Sequence, residues 1–168
     1  MNYEKLNNKY KKQYNLNCLI GLVLIIVGII FIKVRFITTI LLTVMGVCML
    51  TVTKKNYEKR KLEIGKIKDP SSFDKSMKNS LMNMPEFSLY LCDQYVVSEL
   101  HGLNIFVLKD MKKFEVGIAG DKKKTLFLTD KENNRWEIAT TLKGDKRQAS
   151  FDEVYYKVKD IFDNKKYR

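Results

Sequence analysis

The fold is decided by the stretch CLIGLVLIIVGIIFI (residues 18–32), KVR (33–35) and FITTILLTVMGVCMLTV (36–52). Neither long run contains a charged residue. Each run is close to the shortest helix that crosses roughly 30 Å of hydrocarbon, and Leu16 can extend the first. A single long helix would place Lys33 and Arg35 inside the bilayer, at about 2.5–3.5 kcal/mol per central charge. The stretch therefore predicts a transmembrane helical hairpin over residues 16–53, with a turn at the two cations.

Positive charges flank both runs at their outer ends. Four lysines lie between Lys5 and Lys12, and seven Lys/Arg residues lie between Lys54 and Lys68. The positive-inside rule then predicts a multi-pass protein of the cell membrane with both termini cytoplasmic and a basic N-terminus over residues 1–15. A cleaved signal peptide is the alternative, but no small-residue cleavage site follows and a second apolar run comes at once.

Small residues recur on one side of each predicted span. Gly21 and Gly28 are seven residues apart in the first, and Thr39, Thr43 and Gly46 follow helical spacing in the second. Small residues let helices approach closely in lipid, so these faces are expected to pack on each other; the alternative is an interface with another protein's helices. Neither span holds an internal Asp, Glu, Lys, Arg or His, which disfavours a transporter or channel.

The charge distribution argues against a nucleic-acid partner. Of the net +12, residues 1–69 contribute 13 Lys/Arg against 4 Asp/Glu, so the excess flanks the apolar runs. We therefore expect the basic residues after the second span to contact anionic lipid headgroups, at about 1 kcal/mol per charge near the surface. The predicted membrane-surface contacts are Lys54, Lys55, Lys59, Arg60 and Lys61.

Residues 54–84 are predicted to form a basic, helical juxtamembrane linker. The second span is expected to continue as helix until Gly65 weakens it. Asp69 and Pro70 then supply an N-cap and an N1 proline for a short amphipathic helix that ends before Pro85. Its apolar face (Phe73, Met77 and Leu81) is expected to dock on the following domain rather than on the membrane.

From Glu86 the hydrophobic period changes from helical spacing to two. Short runs rich in Val, Ile, Phe, Tyr and Leu are separated by turn residues, which predicts an antiparallel β-meander within a cytoplasmic domain over residues 85–168. The predicted strands are Phe87–Leu91, Tyr95–Glu99, Asn104–Leu108, Lys113–Ala119, Thr125–Thr129 and Arg135–Thr140.

An amphipathic helix is predicted to close the domain. Ser150 and Glu153 have the spacing of a capping box, which places the helix start at Ser150. A sheet followed by a helix that covers it gives an α+β domain. The apolar stripe to be buried is Phe151, Val154, Tyr155, Val158, Ile161 and Phe162.

The segment LYLCDQYVVSELHGLNIFVLKDMKKFEV (residues 89–116), followed by TLFLTD (125–130), NNRWEIAT (133–140) and the last helix, resembles the pleckstrin-homology-like (PH-like) domains of small bacterial membrane proteins. The resemblance spans about half of the chain. It implies a scaffolding or interaction domain with seven strands, whereas the pattern above predicts six. Either a strand near residues 143–149 is missing from the prediction or the sheet is rolled differently.

The chain holds little that could perform catalysis. His101 is the only histidine and lies beside Gly102 in a predicted turn, and its polar neighbours Ser98 and Glu99 are predicted strand residues. Three dispersed cysteines and one histidine do not form a zinc ligand set, and no glycine-rich phosphate loop is present. We therefore expect no enzymatic activity, no cofactor and no metal.

One basic loop is the remaining candidate ligand site. Lys122, Lys123 and Lys124 fall at a predicted hairpin tip, and PH-like folds sometimes present basic loops to phosphorylated lipid heads; a solvated tip is the simpler interpretation. Trp136 is expected to lie in the core. The sequence as a whole predicts a membrane-anchored interaction or scaffolding module with a protein partner, or alternatively an accessory subunit of a larger membrane complex.

Overall fold

The structure, a computed structural model, describes residues 2–33, 36–79, 82–119, 123–142, 144 and 146–166. The chain divides into two compact units, a hairpin unit (Tyr3–Gly65) and a β unit that begins at Lys66. The predicted linker, residues 54–84, is shared between the two. Its first part belongs to a helix of the hairpin unit, and the rest belongs to the β unit.

The hairpin unit consists of two long helices. Helix α1 spans Tyr3–Ile30 and is followed by a 3₁₀ turn at Phe31–Lys33, and helix α2 spans Phe36–Gly65. Both helices are long and apolar enough to cross a membrane. As predicted, α2 continues past the apolar run and ends at Gly65. Val34 and Arg35 of the predicted turn lie outside the described residues.

The small residues of α1 and α2 face each other. A Cβ atom on Gly46 would lie 2.7 Å from the backbone oxygen of Gly21, and one on Gly28 would lie 2.8 Å from the hydroxyl of Thr43. Both distances are shorter than real Cβ atoms show, so only glycine permits this approach. The predicted packing of the two small-residue faces within one chain is confirmed.

The β unit begins with helix α3 (Pro70–Lys78), which starts as predicted. The carboxylate of Asp69 accepts hydrogen bonds from the N–H (2.9 Å) and the hydroxyl (2.7 Å) of Ser71, and these bonds lower the pKa of Asp69. Phe73 is fully buried and meets Tyr95 edge to face, with 5.2 Å between ring centroids. The apolar face of α3 thus docks on the β unit, as expected; Leu81 lies outside the described residues.

Two antiparallel sheets and a final helix complete the α+β fold. The first sheet has the order β1-β2-β3-β4 and the second has the order β5-β6-β7. Consecutive strands pair throughout each sheet, as the predicted meander requires. The strands are β1 (Met82–Met84), β2 (Leu89–Leu91), β3 (Tyr95–Ser98), β4 (Asn104–Val107), β5 (Met111–Ala119), β6 (Lys123–Asp130) and β7 (Arg135–Leu142).

The predicted and observed strands differ at the N-terminal side of the first sheet. Each of the six predicted strands is present within a few residues of its expected bounds. The additional strand is β1, which pairs with β2 through Met82↔Leu91. It does not lie near residues 143–149, where Gly144, Lys146 and Arg147 are in turns and a helix begins at Gln148. Residues 85–87, placed partly in the first predicted strand, form a 3₁₀ turn because Pro85 cannot donate to a ladder.

The last helix, α4, spans Gln148–Lys166 and therefore starts before the predicted position. The N–H of Phe151 donates to the carbonyl oxygen of Arg147 at 2.9 Å, so helical hydrogen bonding already runs through Ser150. The predicted capping box of Ser150 and Glu153 is wrong for that reason. The apolar stripe does face the core, but with unequal burial. Phe151, Val154 and Val158 are fully buried, whereas Tyr155, Ile161 and Phe162 are partly buried.

The core of the β unit lies between the sheets and α4. Residues of both sheets contribute, including Leu91, Phe106, Leu126 and Ile138. The hydroxyl of Ser98 in β3 donates to the carbonyl oxygen of Ile138 in β7 at 3.3 Å and links the two sheets directly. The partly buried ring of Trp136 packs at the edge of this core, 6.0 Å from Phe106.

Candidate functional site

The hairpin unit carries a basic neck, which we define as residues 3–15 of α1 and 54–65 of α2. The rings of Tyr14 and Tyr57 stack with centroids 4.3 Å apart. The guanidinium of Arg60 donates to the amide oxygen of Gln13 at 2.9 Å and lies 4.7 Å from the ring centroid of Tyr10. These contacts keep α1 and α2 paired beyond their apolar parts, so the basic residues are carried on a two-helix frame.

The five predicted membrane-surface residues do not all have the same role. Lys54, Lys55, Lys59 and Lys61 are exposed, whereas Arg60 is half-buried by its contacts across the helix pair. At about 100° per residue, Lys54 and Lys61 lie on one side of α2, and Lys55 and Lys59 lie on another. The four exposed lysines are accessible to anionic groups, whereas the side chain of Arg60 packs within the neck.

The predicted basic loop is not an open patch in the described residues. Lys122 lies outside them, and Lys123 is exposed at the start of β6. The ammonium of Lys124 is 2.7 Å from the carboxylate of Asp152 in α4 and 5.2 Å from the ring centroid of Phe151. Lys124 therefore links β6 to the start of α4, and its charge is already paired with Asp152.

His101 lies in the turn between β3 and β4, beside Gly102 with its φ of 94°. Its Nε2 is 3.2 Å from the carboxylate of Glu137, and its side chain is 65% exposed. The nearby hydroxyl of Ser98 is buried and donates to a backbone carbonyl, so it is not placed as a nucleophile for His101. Within the described residues, no group of three or more His, Cys, Asp or Glu side chains is arranged to hold a metal ion.

A cleft of about 570 Å³ opens beside Phe106 and Trp136. Its rim mixes both signs of charge, with Lys131 only 3.8 Å from Asp110. Asp130 accepts hydrogen bonds from the side-chain amide and the backbone N–H of Asn134, each at 2.9 Å. These bonds hold the loop between β6 and β7 together, and they lower the pKa of Asp130 because they favour its charged form. The mixed rim therefore does not select a ligand of either charge.

A larger groove of about 1010 Å³ runs between strand β5 and helix α4. Its floor includes the ring of Phe114, which stacks with the rings of Tyr155 at 5.5 Å and Phe162 at 6.0 Å. Sequence reasoning missed this groove because the aromatic stripe of α4 was expected to be buried completely. We call it the β5–α4 groove. It is lined by Leu108, Lys109, Met111, Lys112, Lys113, Phe114, Val116, Tyr155, Lys159, Phe162 and Asp163.

No family model, curated protein or solved structure matches this chain.

Proposed function

We propose that this chain is a membrane-anchored, non-enzymatic interaction module. In this proposal the hairpin unit fixes its position at the cytoplasmic face of the cell membrane, and the β unit offers a surface to another protein. One observation carries the proposal: a helical hairpin with an apolar outer surface is joined to a separate compact β unit.

The exposure of the hairpin is the argument for a bilayer. Among the described residues from Leu16 to Val52, eighteen large apolar side chains are more than 40% exposed, and Ile37 reaches 81%. Burial of such a side chain is worth about 1.5–3 kcal/mol. The summed free-energy cost of exposing these side chains to water would therefore exceed the free energy of unfolding of an ordinary domain. On each helix the exposed apolar positions cover about half of the circumference, and the other half packs on the second helix. The helix pair is therefore apolar on its whole outer surface, which is typical of helices surrounded by lipid.

The basic neck supports the proposed orientation. Its exposed lysines follow directly after the apolar part of α2, where anionic headgroups would lie. The turn side carries only Lys33 and Arg35 in the sequence. The stronger positive flank is therefore at the two outer ends, which favours cytoplasmic termini.

Helix packing favours a stand-alone module over an accessory subunit. Gly21, Gly28 and Gly46 are all in close contacts inside the hairpin. They are thus already used and do not form a small-residue face for the helices of a partner. The partner is then expected to meet the β unit rather than the membrane spans.

The β unit supports an interaction role by analogy. Its seven described strands and final helix agree with the seven strands that the resemblance to PH-like domains implies. The contacts of His101 with Glu137 and of Ser98 with a carbonyl oxygen both connect parts of the β unit to strand β7.

Membrane anchoring is tested with the full chain in cells. We expect the protein to stay in the membrane pellet after alkaline carbonate extraction and to be released by detergent. For topology, a Lys33→Cys variant without the three native cysteines should react with a membrane-impermeant maleimide in intact cells. The matched Lys146→Cys variant should react only after lysis. Extraction by carbonate would contradict the anchor, and the reverse labelling pattern would contradict the orientation.

The interaction role is tested by photo-crosslinking in the same cells. A photoreactive amino acid is placed singly at exposed positions of the β unit, including Val116 and Tyr156, and adducts are detected as discrete heavier bands. Adducts from at least one position are expected. A complete lack of protein adducts from every position would contradict an interaction module.

A further inference from the structure

Strand β5 is an edge of its sheet. In the described part of the chain it pairs only with β6, because the first sheet ends at β4 and the second begins at β5. Alternate residues of a strand direct their N–H and C=O groups to opposite sides, so an edge strand presents a row of unpaired donors and acceptors. Strand β5 is nine residues long and therefore offers such a row over most of its length.

The β5–α4 groove lies against this edge. Strand alternation places Phe114, Val116 and Ile118 on one face of β5. Phe114 is only partly covered by Tyr155 and Phe162, and further along the strand Val116 is 41% exposed and Ile118 is 81% exposed. The helix thus covers the start of the strand and leaves apolar side chains open further along, beside the unpaired backbone.

The charge of the groove points to the chemistry of its occupant. Four lysines line it (Lys109, Lys112, Lys113 and Lys159), against the single acid Asp163. Lys112 donates to the amide oxygen of Asn133 at 3.1 Å, and Lys113 pairs with Glu115. Lys109 and Lys159 make no ion pair within the described residues, so they remain available for an acidic ligand.

We propose that the β5–α4 groove binds an extended segment of a partner protein that carries both acidic and apolar side chains and adds to β5 as a further strand. This inference rests on the proposed interaction function and deepens it by naming the surface and the partner chemistry. The main chain of the segment pairs with the β5 edge, its apolar side chains contact Phe114 and Val116, and its acids face the lysines.

Two other occupants fit the groove less well. A lipid headgroup satisfies lysines, but it does not supply the alternating donors and acceptors that a strand edge requires. A second copy of this chain pairing through β5 would bring two lysine-lined grooves together, and like charges placed opposite each other are destabilising. A peptide with acidic side chains meets both the backbone and the charge requirement.

The test uses the full chain in phosphatidylcholine nanodiscs. A random decapeptide display library is first depleted on the Lys109→Glu/Lys159→Glu variant and then selected on the parent. Enriched peptides should alternate acidic with apolar residues. Their Kd, measured by fluorescence anisotropy, should rise at least about tenfold on the variant. The matched Lys146→Glu/Lys157→Glu variant has the same change in charge away from the groove and should alter Kd by less than about threefold.

Backbone pairing has its own readout. Peptides N-methylated at alternate amides are compared. One set should lose binding because those amides donate to β5, whereas the other set should keep it. Hydrogen exchange should slow at β5 amides on peptide binding in the parent. If neither methylation pattern weakens binding, strand addition is wrong.

Other results would overturn the proposal in distinguishable ways. Failure to enrich any peptide, or equal losses on the groove and control variants, would reject this site. Binding to phosphatidylserine vesicles that the groove variant abolishes would assign the groove to lipid, and dimers dissociated by that variant would assign it to a second copy. In cells, adducts from Tyr156 but none from Val116 would leave the interaction function intact and reject the groove.

Discussion

Phe151 is the side chain whose removal should weaken the β unit most clearly. It is fully buried in the first turn of α4 and meets Phe87 edge to face, with 6.2 Å between ring centroids. The ammonium of Lys124 lies over the same ring, 5.2 Å from the ring centroid. Phe151 thus joins α4 to the 3₁₀ turn before β2 through Phe87 and to β6 of the second sheet through Lys124.

The expected loss of stability is large for a unit of this size. Truncation of a buried Phe to Ala typically costs about 3–5 kcal/mol, including the loss of aromatic contacts and the cavity left behind. A whole domain is stable by only about 5–15 kcal/mol. With a urea dependence of about 2 kcal/mol/M, Phe151→Ala should lower the unfolding midpoint by roughly 2 M.

The chain provides a selective probe for this measurement. Trp136 is its only tryptophan and packs at the edge of the β-unit core. Tryptophan fluorescence of the full chain in neutral detergent micelles therefore follows unfolding of the β unit alone. The matched control is Tyr156→Ala, because Tyr156 is an aromatic residue of the same helix that is 67% exposed. If Phe151→Ala shifts the midpoint no further than Tyr156→Ala, the packing of α4 described above is wrong.

Three further predictions concern the hairpin, one loop and one ion pair. Gly46→Ala should weaken α1–α2 association by about 1–3 kcal/mol in a sodium dodecyl sulfate titration, because its Cβ would lie 2.7 Å from a backbone oxygen. The control Gly65→Ala has open space around its Cβ and should leave the association unchanged. The pKa of Asp130 is lowered in the folded state, so its stabilising effect is present above its ordinary pKa of about 4 and is lost as pH falls through the lower value. Asp130→Asn should therefore flatten the acid side of a plot of urea midpoint against pH, and an unchanged slope would contradict this. A double-mutant cycle of Lys124→Ala and Asp152→Ala should give a coupling free energy of only about 0.2–1 kcal/mol, since both side chains are more than a third exposed. A much larger coupling free energy would be inconsistent with this exposure.

The hairpin could be predicted because its signals are local. The absence of charge over two runs, the cations between them and the small-residue spacing are all readable from neighbouring residues. The close approach of Gly28 to Thr43 then follows from packing two such faces. The six predicted strands were accessible for the same reason, because period-two alternation appears within each segment.

Strand β1 and the start of α4 could not be predicted because they depend on distant partners. Met82–Met84 is only three residues long and is followed by Pro85, so it has no pattern of its own, and pairing with β2 makes it a strand. At α4, the hydrogen bond from Phe151 to Arg147 extends the helix past the residues that carry the capping pattern. The groove was equally hidden, since an edge strand exists only once the division into two sheets is known.

The two lysine clusters show why the same residue type has different meaning in different secondary structures. In a strand, successive side chains point to opposite faces, so a run of lysines is divided. Lys123 is exposed, whereas Lys124 turns inward to Asp152. In the helical basic neck, the lysines are spread around α2, and the helix pair supports them through Arg60 and Tyr57. A lysine run therefore spreads its charges around the backbone only where that backbone is helical, as it is in the neck, and is divided between two faces where it lies in a strand.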